Sequence, residues 1–118
     1  MKNSLIRDKS FQFSLKVIEL YKELIEQNEY IISKQVLRSA TSIGANVEEA
    51  TAAQSRKDFI YKMSISSKEA RETKYWLRLL NESDLVKVEL AYHLSEIEQI
   101  IKILTSIVKT TQNSKLKI

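Results

Sequence analysis

The chain has 118 residues, a formal net charge of +4 at pH 7, one glycine, no proline and no cysteine. Folds with β-sheets place many glycines and prolines at their turns, so this composition favours an all-α fold, and the lack of cysteine excludes disulfides and thiolate chemistry. The sequence has no run of 18 apolar residues and no leader-like segment, which predicts a cytoplasmic protein without membrane contact.

Helical periodicity of apolar residues occurs in four segments and predicts a single domain that spans residues 1–118. The predicted helices cover residues 8–27, 33–52, 55–81 and 87–111. Segments 1–7 and 112–118 fall outside the periodic pattern, and we predict that they are frayed.

The inward faces of the first two helices follow from residues spaced three and four apart. In the first helix these residues are Val17, Leu20, Tyr21 and Leu24. In the second helix they are Val36, Ala40, Ile43, Val47 and Ala50.

The third helix begins with a capping box, because Ser55 and Asp58 are three residues apart just before an apolar run. Its inward series is Phe59, Met63, Ser66, Ala70, Thr73, Leu77 and Leu80. The fourth helix has a heptad line of Leu90, Leu94, Ile97, Ile101, Leu104 and Val108. Ile100, Ile103 and Ile107 flank that line, so we expect this extra apolar surface to be covered by another helix of the bundle or by another subunit.

Short links connect the predicted helices. The links "NEYII" and "NESDLV" each open with an asparagine, Asn28 and Asn81, a residue suited to a helix C-terminus. Short links join antiparallel neighbours, so the predicted fold is an up-down-up-down four-helix bundle.

No motif for catalysis or for a cofactor occurs in the sequence. Di-iron bundles need Glu-x-x-His pairs, but the single histidine, His93, has Leu90 three residues before it. With one glycine the chain has no phosphate-binding loop, and it has no nucleophile elbow. We therefore predict a protein that is not an enzyme and that needs neither a metal nor a cofactor, with His93 at the surface or the rim.

The second helix contains the only glycine and a polar stripe. Gly44 costs a helix about 0.5–1 kcal/mol relative to alanine. Within an arc of about 80°, away from the inward series, lie Arg38, Ser42, Asn46 and Glu49. This stripe is either a solvated face or a contact with a second element. Gly44 lies on another shoulder of the helix, in line with Leu37 and Thr51, where it would permit close approach of a second backbone. As a subunit interface the set is Arg38, Ser42, Gly44, Asn46 and Glu49.

The third helix carries the whole excess of positive charge. Between Ala53 and Leu80 there are seven Lys/Arg and three Asp/Glu, and the rest of the chain is balanced. Its outward side is a basic strip about 30 Å long, made of Lys57, Tyr61, Ser64, Lys68, Arg71, Tyr75 and Arg78. The acids Asp58, Glu69 and Glu72 lie beside Trp76, outside the strip. The strip is either a solvated face, with ordinary pairs such as Lys68 with Glu72, or a surface for RNA or DNA.

Two stretches, "SATSIGANVEEA" and "SRKDFIYKMSISSKEARETKYWLRLL", carry a family resemblance. They resemble the four-helix proteins encoded in intervening sequences of 23S ribosomal RNA genes. The family element S-I-x-A-N-[IV]-x-E-[GA] is met by Ser42, Ile43, Ala45, Asn46, Val47, Glu49 and Ala50. The element S-x-x-[DE]-F is met by Ser55, Asp58 and Phe59, and a family glutamate corresponds to Glu72. Departures are Ala50, where many relatives have glycine, and Glu48, often alanine in them.

The resemblance implies a four-helix protomer in a ring-shaped homopentamer, without enzymatic activity. It also links the chain to the similar pentameric accessory protein of diversity-generating retroelements, which binds reverse transcriptase and nucleic acid. The leading hypothesis is a homo-oligomer that binds RNA or DNA without strong sequence specificity. Its contacts would be Lys57, Tyr61, Lys68, Arg71, Tyr75 and Arg78, with Lys62 and Lys74 as weaker candidates. The alternative is a scaffold that presents the third helix to an acidic protein partner such as a polymerase-like enzyme.

Overall fold

The computed structural model describes residues 2–116, with side chains described for residues 4–114, and in that range it contains four helices and no strand. The helices are α1 (Lys2–Glu26), α2 (Ile32–Thr51), α3 (Arg56–Glu82) and α4 (Ala91–Leu116). Each helix packs on two others, in the cyclic order α1, α2, α3, α4, and the rod measures 53 × 22 × 21 Å. The prediction of an all-α four-helix bundle is confirmed.

Side-chain pairs show the relative direction of neighbouring helices. Arg38 pairs with Glu72 near the start of α2, and Glu49 pairs with Lys62 near its end. Residue numbers therefore rise along α2 while they fall along α3, so the two helices are antiparallel. The other neighbouring helices are antiparallel by the same criterion. For α1 and α2 the contacts are Arg7–Glu48 and Ser10–Gly44, and for α3 and α4 they are Arg71–Thr105 and Lys74–Glu98. For α1 and α4 they are Lys9–Glu96 and, at the links, Gln27–Lys87.

The core contains the inward series predicted for α2 and α3. All five predicted residues of α2 are buried, and so are the predicted residues of α3 except Phe59, which is half-buried. In α1, Val17, Leu20 and Leu24 are buried with Ile6 and Phe13, whereas Tyr21 is half-buried. Helical periodicity alone was sufficient for these faces because every one of them is amphipathic.

The centre of the apolar face of α4 differs from the prediction. Its buried side chains are Ile97, Ile100, Leu104 and Ile107, whereas Leu94, Ile101 and Val108 of the heptad line are half-buried. The helix faces both α1 and α3, so its buried residues follow the wide 3.6-residue face rather than a narrow heptad line. Ile100 and Ile107 are therefore covered within the bundle.

The two links end their helices differently. Asn28 has the left-handed conformation (φ 64°) expected for an asparagine after α1. After α3 the prediction was wrong, because the helix continues through Asn81 and the left-handed residue is Asp84 (φ 58°). The following segment ends in buried Leu90, and α4 begins only at Ala91.

The outer bounds of α1 and α4 extend beyond the predicted ones. Residues 2–7 and 112–116, which we predicted to be frayed, continue the two helices, and in the first of these segments Ile6 is buried in the core. Residues 1, 117 and 118 of the same predicted ends lie outside the described residues. Over the part of the chain that the structure describes, no helix has a stretch long and apolar enough to cross a membrane.

Candidate nucleic-acid interface

The basic strip lies on the outward side of α3. Ser55 caps the helix, accepting a hydrogen bond of 3.0 Å from the Asp58 N–H, as the capping box predicts. The buried series on the opposite side then turns the strip to solvent, where Tyr61 is 60% exposed and Tyr75 is 54% exposed. The four cations of the strip are exposed and Ser64 is half-buried.

Two acids of α3, Glu69 and Glu72, are turned away from the strip, toward α2. Arg38 pairs with both Glu69 and Glu72, and the Trp76 Nε1–H donates to Glu72 at 2.9 Å. Glu72 therefore has partners other than Lys68, and the predicted surface pair between Lys68 and Glu72 does not form. Glu69 and Glu72 thus lie outside the strip, as the sequence predicted, whereas Glu82 follows Arg78 by four residues and continues the line of the strip.

The cations along α3 differ in their partners. Among the described residues, Lys57, Lys68 and Arg71 have no carboxylate within ion-pair distance, and Arg71 donates to the Thr105 hydroxyl at 3.3 Å. Arg78 lies 3.2 Å from Glu82, an acid just beyond the segment counted in the sequence. Exposed pairs of this kind contribute about 0–1 kcal/mol, so a ligand can exchange for the carboxylate.

The two weaker candidates have carboxylate partners. Lys62 lies 2.7 Å from Glu49, and this hydrogen bond raises the pKa of Lys62. Lys74 lies 2.5 Å from Glu98, and this contact lowers the pKa of that carboxyl. Each of the two lysines is therefore paired with a carboxylate of a neighbouring helix.

The polar stripe of α2 contacts α3 through a set of side-chain pairs that we call the polar seam. The pairs are Arg38 with Glu69 and Glu72, Ser42 with Glu69, and Glu49 with Lys62. Ser42 donates to Glu69 at 3.2 Å, and the Asn46 amide donates to the Ser42 carbonyl at 2.9 Å. The stripe is therefore not simply solvated, and the second element that it contacts is α3 of the same chain. A role of these side chains at a subunit interface stays a prediction.

Gly44 faces α1. A Cβ added there would meet the Ser10 carbonyl, the Ser10 hydroxyl and the Ser14 hydroxyl, each at 3.6 Å, which is ordinary van der Waals contact. Space for an alanine therefore exists. The glycine lies in a recess of about 280 Å³ between α1 and α2, lined also by Phe11, Thr41 and other residues of both helices.

An outward apolar patch on α1 was not predicted from the sequence. Phe11 is 60% exposed, Leu15 41% and Ile18 38%, and Phe11 borders the recess beside Gly44. The three residues are four and three apart, on the side away from buried Val17. This spacing could have predicted the patch, but the periodicity of α1 was used only to predict its inward side.

His93 is half-buried at the rim between α1 and α4, consistent with the predicted surface or rim position. Burial lowers the pKa of His93, and its Nδ1 has no hydrogen-bond partner in the described part of the chain. The recess beside it, about 400 Å³, is lined by Lys16, Glu19, Leu20, Glu23, Glu89, Tyr92 and His93. A search of the described residues finds no group of three or more acidic or histidine side chains that could hold a metal.

Comparison with known proteins identifies the family. The model of the 23S rRNA-intervening sequence protein family matches residues 2–106. The chain belongs to this family. A solved structure is also similar, that of a protein of unknown function from the S23 ribosomal protein family of Bacteroides thetaiotaomicron. It is 48% identical, the match covers 92% of this chain and 99% of that one, and the TM-score is 0.87. No curated protein sequence matches this chain.

The residues that carry the resemblance to the 23S rRNA-intervening sequence family are structural in this chain. Ile43, Val47 and Ala50 are buried in the core, and Ser42 and Glu49 contact α3 in the polar seam. Glu48, a departure from the family pattern, lies at the surface and pairs with Arg7 at 3.2 Å. The family element on α2 therefore accounts for helix packing, whereas the second matching stretch, residues 55–80, contains the basic strip.

Proposed function

We propose that this protein of the 23S rRNA-intervening sequence family is a non-enzymatic homo-oligomer whose basic strip binds RNA or DNA without strong sequence specificity. The observation that carries the proposal is the division of charge on α3. Glu69 and Glu72 are held against α2, while four cations and two tyrosines of the strip are exposed on the other side. The family resemblance implies five subunits and a relation to the retroelement accessory protein, and we expect the protein to be cytoplasmic.

The chemistry of the strip suits a nucleic-acid backbone. Lys57, Lys68 and Arg71 need not give up a carboxylate partner to bind a phosphate, and Arg78 gives up only an exposed pair. Binding to phosphates releases counterions, so affinity should fall steeply with salt and depend little on sequence. Tyr61 and Tyr75 offer exposed rings for stacking on unpaired bases.

Self-association is supported by the α1 apolar patch of Phe11, Leu15 and Ile18. The patch adjoins the recess that contains Gly44, which the sequence analysis assigned to a subunit interface. We expect Leu15→Glu and Gly44→Leu to lower the mass of the oligomer while the protomer stays helical. Light scattering with circular dichroism measures both properties, and an unaltered mass in both variants would contradict this part of the proposal.

The test of nucleic-acid binding is fluorescence anisotropy with a labelled single-stranded RNA and a structured RNA, at low and at physiological salt. We expect the double variant Lys68→Glu/Arg71→Glu to bind about tenfold or more weakly. The matched control is Lys34→Glu/Lys109→Glu, which makes the same charge change at exposed sites on α2 and α4. Equal losses in the two variants, or no binding by the unaltered protein at low salt, would contradict the proposed site.

A second candidate function is a scaffold for a protein partner. It is favoured by the carboxylates beside Lys62, Lys74 and Arg78, which give α3 a mixed rather than a purely cationic surface. A partner that is retained after nuclease treatment and lost with Lys68→Glu/Arg71→Glu would support the scaffold. A partner that nuclease removes would support nucleic-acid binding.

A further inference from the structure

Tyr75 lies between two recesses of the α3 surface. One recess, about 360 Å³, lies toward the end of α3 and is lined by Tyr75, Arg78, Leu79, Glu82 and Ser83. The other, about 330 Å³, lies toward α4 and is lined by Arg71, Lys74, Tyr75, Arg78, Glu98 and Ile101. Their volumes are at the lower end of the range for small-ligand sites, and Tyr75 and Arg78 line both.

The Tyr75 ring is held from behind by Trp76. The two rings contact edge to face, with centroids 5.1 Å apart and planes at 69°. Trp76 donates to Glu72, whose carboxylate also pairs with Arg38, so the support extends into the polar seam. An aromatic ring that is positioned before binding loses less conformational entropy when a flat ligand stacks on it.

The groups around Tyr75 fit one nucleotide of a single strand. Leu79 and Ile101 give each recess an apolar wall, while Arg71, without a carboxylate partner, supplies a cation one helical turn from the ring. A base with an attached phosphate matches this combination of ring, apolar wall and cation. A duplex keeps its bases stacked inside, so it can use the cations but cannot place a base on the ring.

We propose that Tyr75 is a stacking site for an unpaired base and that it makes the strip favour single strands. The inference rests on the proposed binding of nucleic acid to the strip. It also makes the two tyrosines unequal, because Tyr75 contacts Trp76 and lines both recesses, whereas the neighbour of the Tyr61 ring is the Lys62 ammonium, 5.9 Å from its centre. Tyr61→Ala is therefore the matched control for Tyr75→Ala.

The test is an anisotropy titration with a labelled oligodeoxyadenylate dodecamer, alone and as a duplex with its complement. We expect Tyr75→Ala to weaken binding of the single strand about tenfold and binding of the duplex less than about twofold. Tyr75→Phe, which keeps the ring, should bind like the unaltered protein, and Tyr61→Ala should lose less than Tyr75→Ala. Circular dichroism checks that the variants stay folded.

A second readout uses the only tryptophan of the chain. Because Trp76 contacts Tyr75, a base stacked on Tyr75 should change the tryptophan emission when the unlabelled single strand is added, and the duplex should not. Equal effects of Tyr75→Ala and Tyr61→Ala, or equal losses for single strand and duplex, would overturn the stacking site. If Lys68→Glu/Arg71→Glu nevertheless weakens binding about tenfold, the proposed function stands without the stacking site. If the unaltered protein binds neither probe, both proposals fail.

Discussion

Two polar regions lie on adjacent faces of α3, and they differ in how their groups are paired. In the polar seam with α2, the acids Glu69 and Glu72 have arginine, serine and tryptophan partners from within the chain. In the basic strip, Lys57 and Lys68 point to solvent. Polar residues on one helix thus divide into those that hold the bundle together and those that are available to a ligand.

The largest effect on stability is expected inside the contact between α2 and α3. Ser66 is fully buried and its hydroxyl donates to the Ile43 carbonyl at 2.8 Å, so Ser66→Leu inserts bulk where the helices meet. We expect the free energy of unfolding to fall by about 2–3 kcal/mol in urea denaturation at fixed protein concentration. The control, Ser64→Leu on the strip, should change it by less than about 1 kcal/mol. Equal losses at the two sites would remove the distinction between the regions.

Gly44→Ala is expected to act in the stabilising direction. The new Cβ meets α1 at ordinary contact distances, and alanine removes the helix penalty of glycine. The free energy of unfolding should therefore rise by about 0.5–1 kcal/mol, as measured by urea denaturation. A loss of stability would show that α1 and α2 need closer approach at this position than the contacts around Gly44 indicate.

Substitution of two carboxylates, one in the polar seam and one beside the basic strip, tests the difference between the two regions further. Glu72→Gln weakens the pair with Arg38 in the seam and should lower the free energy of unfolding by about 0.5–1 kcal/mol, without tighter binding of nucleic acid. Glu82→Gln removes the exposed partner of Arg78 and should leave stability unchanged while binding tightens about twofold. Denaturation and anisotropy on both variants check the pattern, and the reverse pattern would contradict it.

A smaller effect is expected from pH, away from both regions. Burial lowers the pKa of His93, so the folded protein takes up this proton less readily than the unfolded chain. Stability should therefore be independent of this group above its ordinary pKa near 6.5 and should fall as pH decreases below it. Thermal melting between pH 7.5 and pH 5.5 should show the loss, and His93→Gln should reduce it.

The surroundings of His93 are separate from the basic strip, so nucleic-acid binding provides a control for this prediction. Glu19, Glu23 and Lys16 line the same recess. A hydrogen bond with the Lys16 backbone and the two carboxylates raise the pKa of His93 against the effect of burial, while the charge of Lys16 lowers it. Binding by the strip should not change over this range because lysine and arginine stay protonated. If binding and stability fall together, the titrating group contacts the strip and His93 is not the cause.

The sequence was sufficient to predict which face of most helices is buried, but it was insufficient to predict which helices lie beside one another. Periodicity identified Ile43 as inward and Arg71 as outward because each follows from the position of the residue around its own helix. It could not identify α3 as the partner of Arg38, since that depends on which helix lies beside α2. The centre of α4 was misplaced for the same reason, because Ile100 is covered from two sides.

Other differences arose at the ends of segments. Glu82 was left out of the charge count because the predicted helix ended one residue before it, although it pairs with Arg78. Asp84 rather than Asn81 has the left-handed conformation, and both residue types tolerate it. Local preference therefore predicts that a left-handed residue ends the helix, while tertiary packing decides how far the helix runs.

The link between α1 and α2 has a consequence for the order of folding. The buried carboxylate of Glu29 accepts hydrogen bonds from the backbone N–H groups of Ile31, Ile32 and Ser33, at 2.6–3.1 Å. All of these groups are within four residues of one another, so closing this turn costs little chain entropy and needs no distant helix. We expect the α1–α2 hairpin to form early in the transition state, with α4 joining last because its contacts with α1 close the longest loop in the bundle.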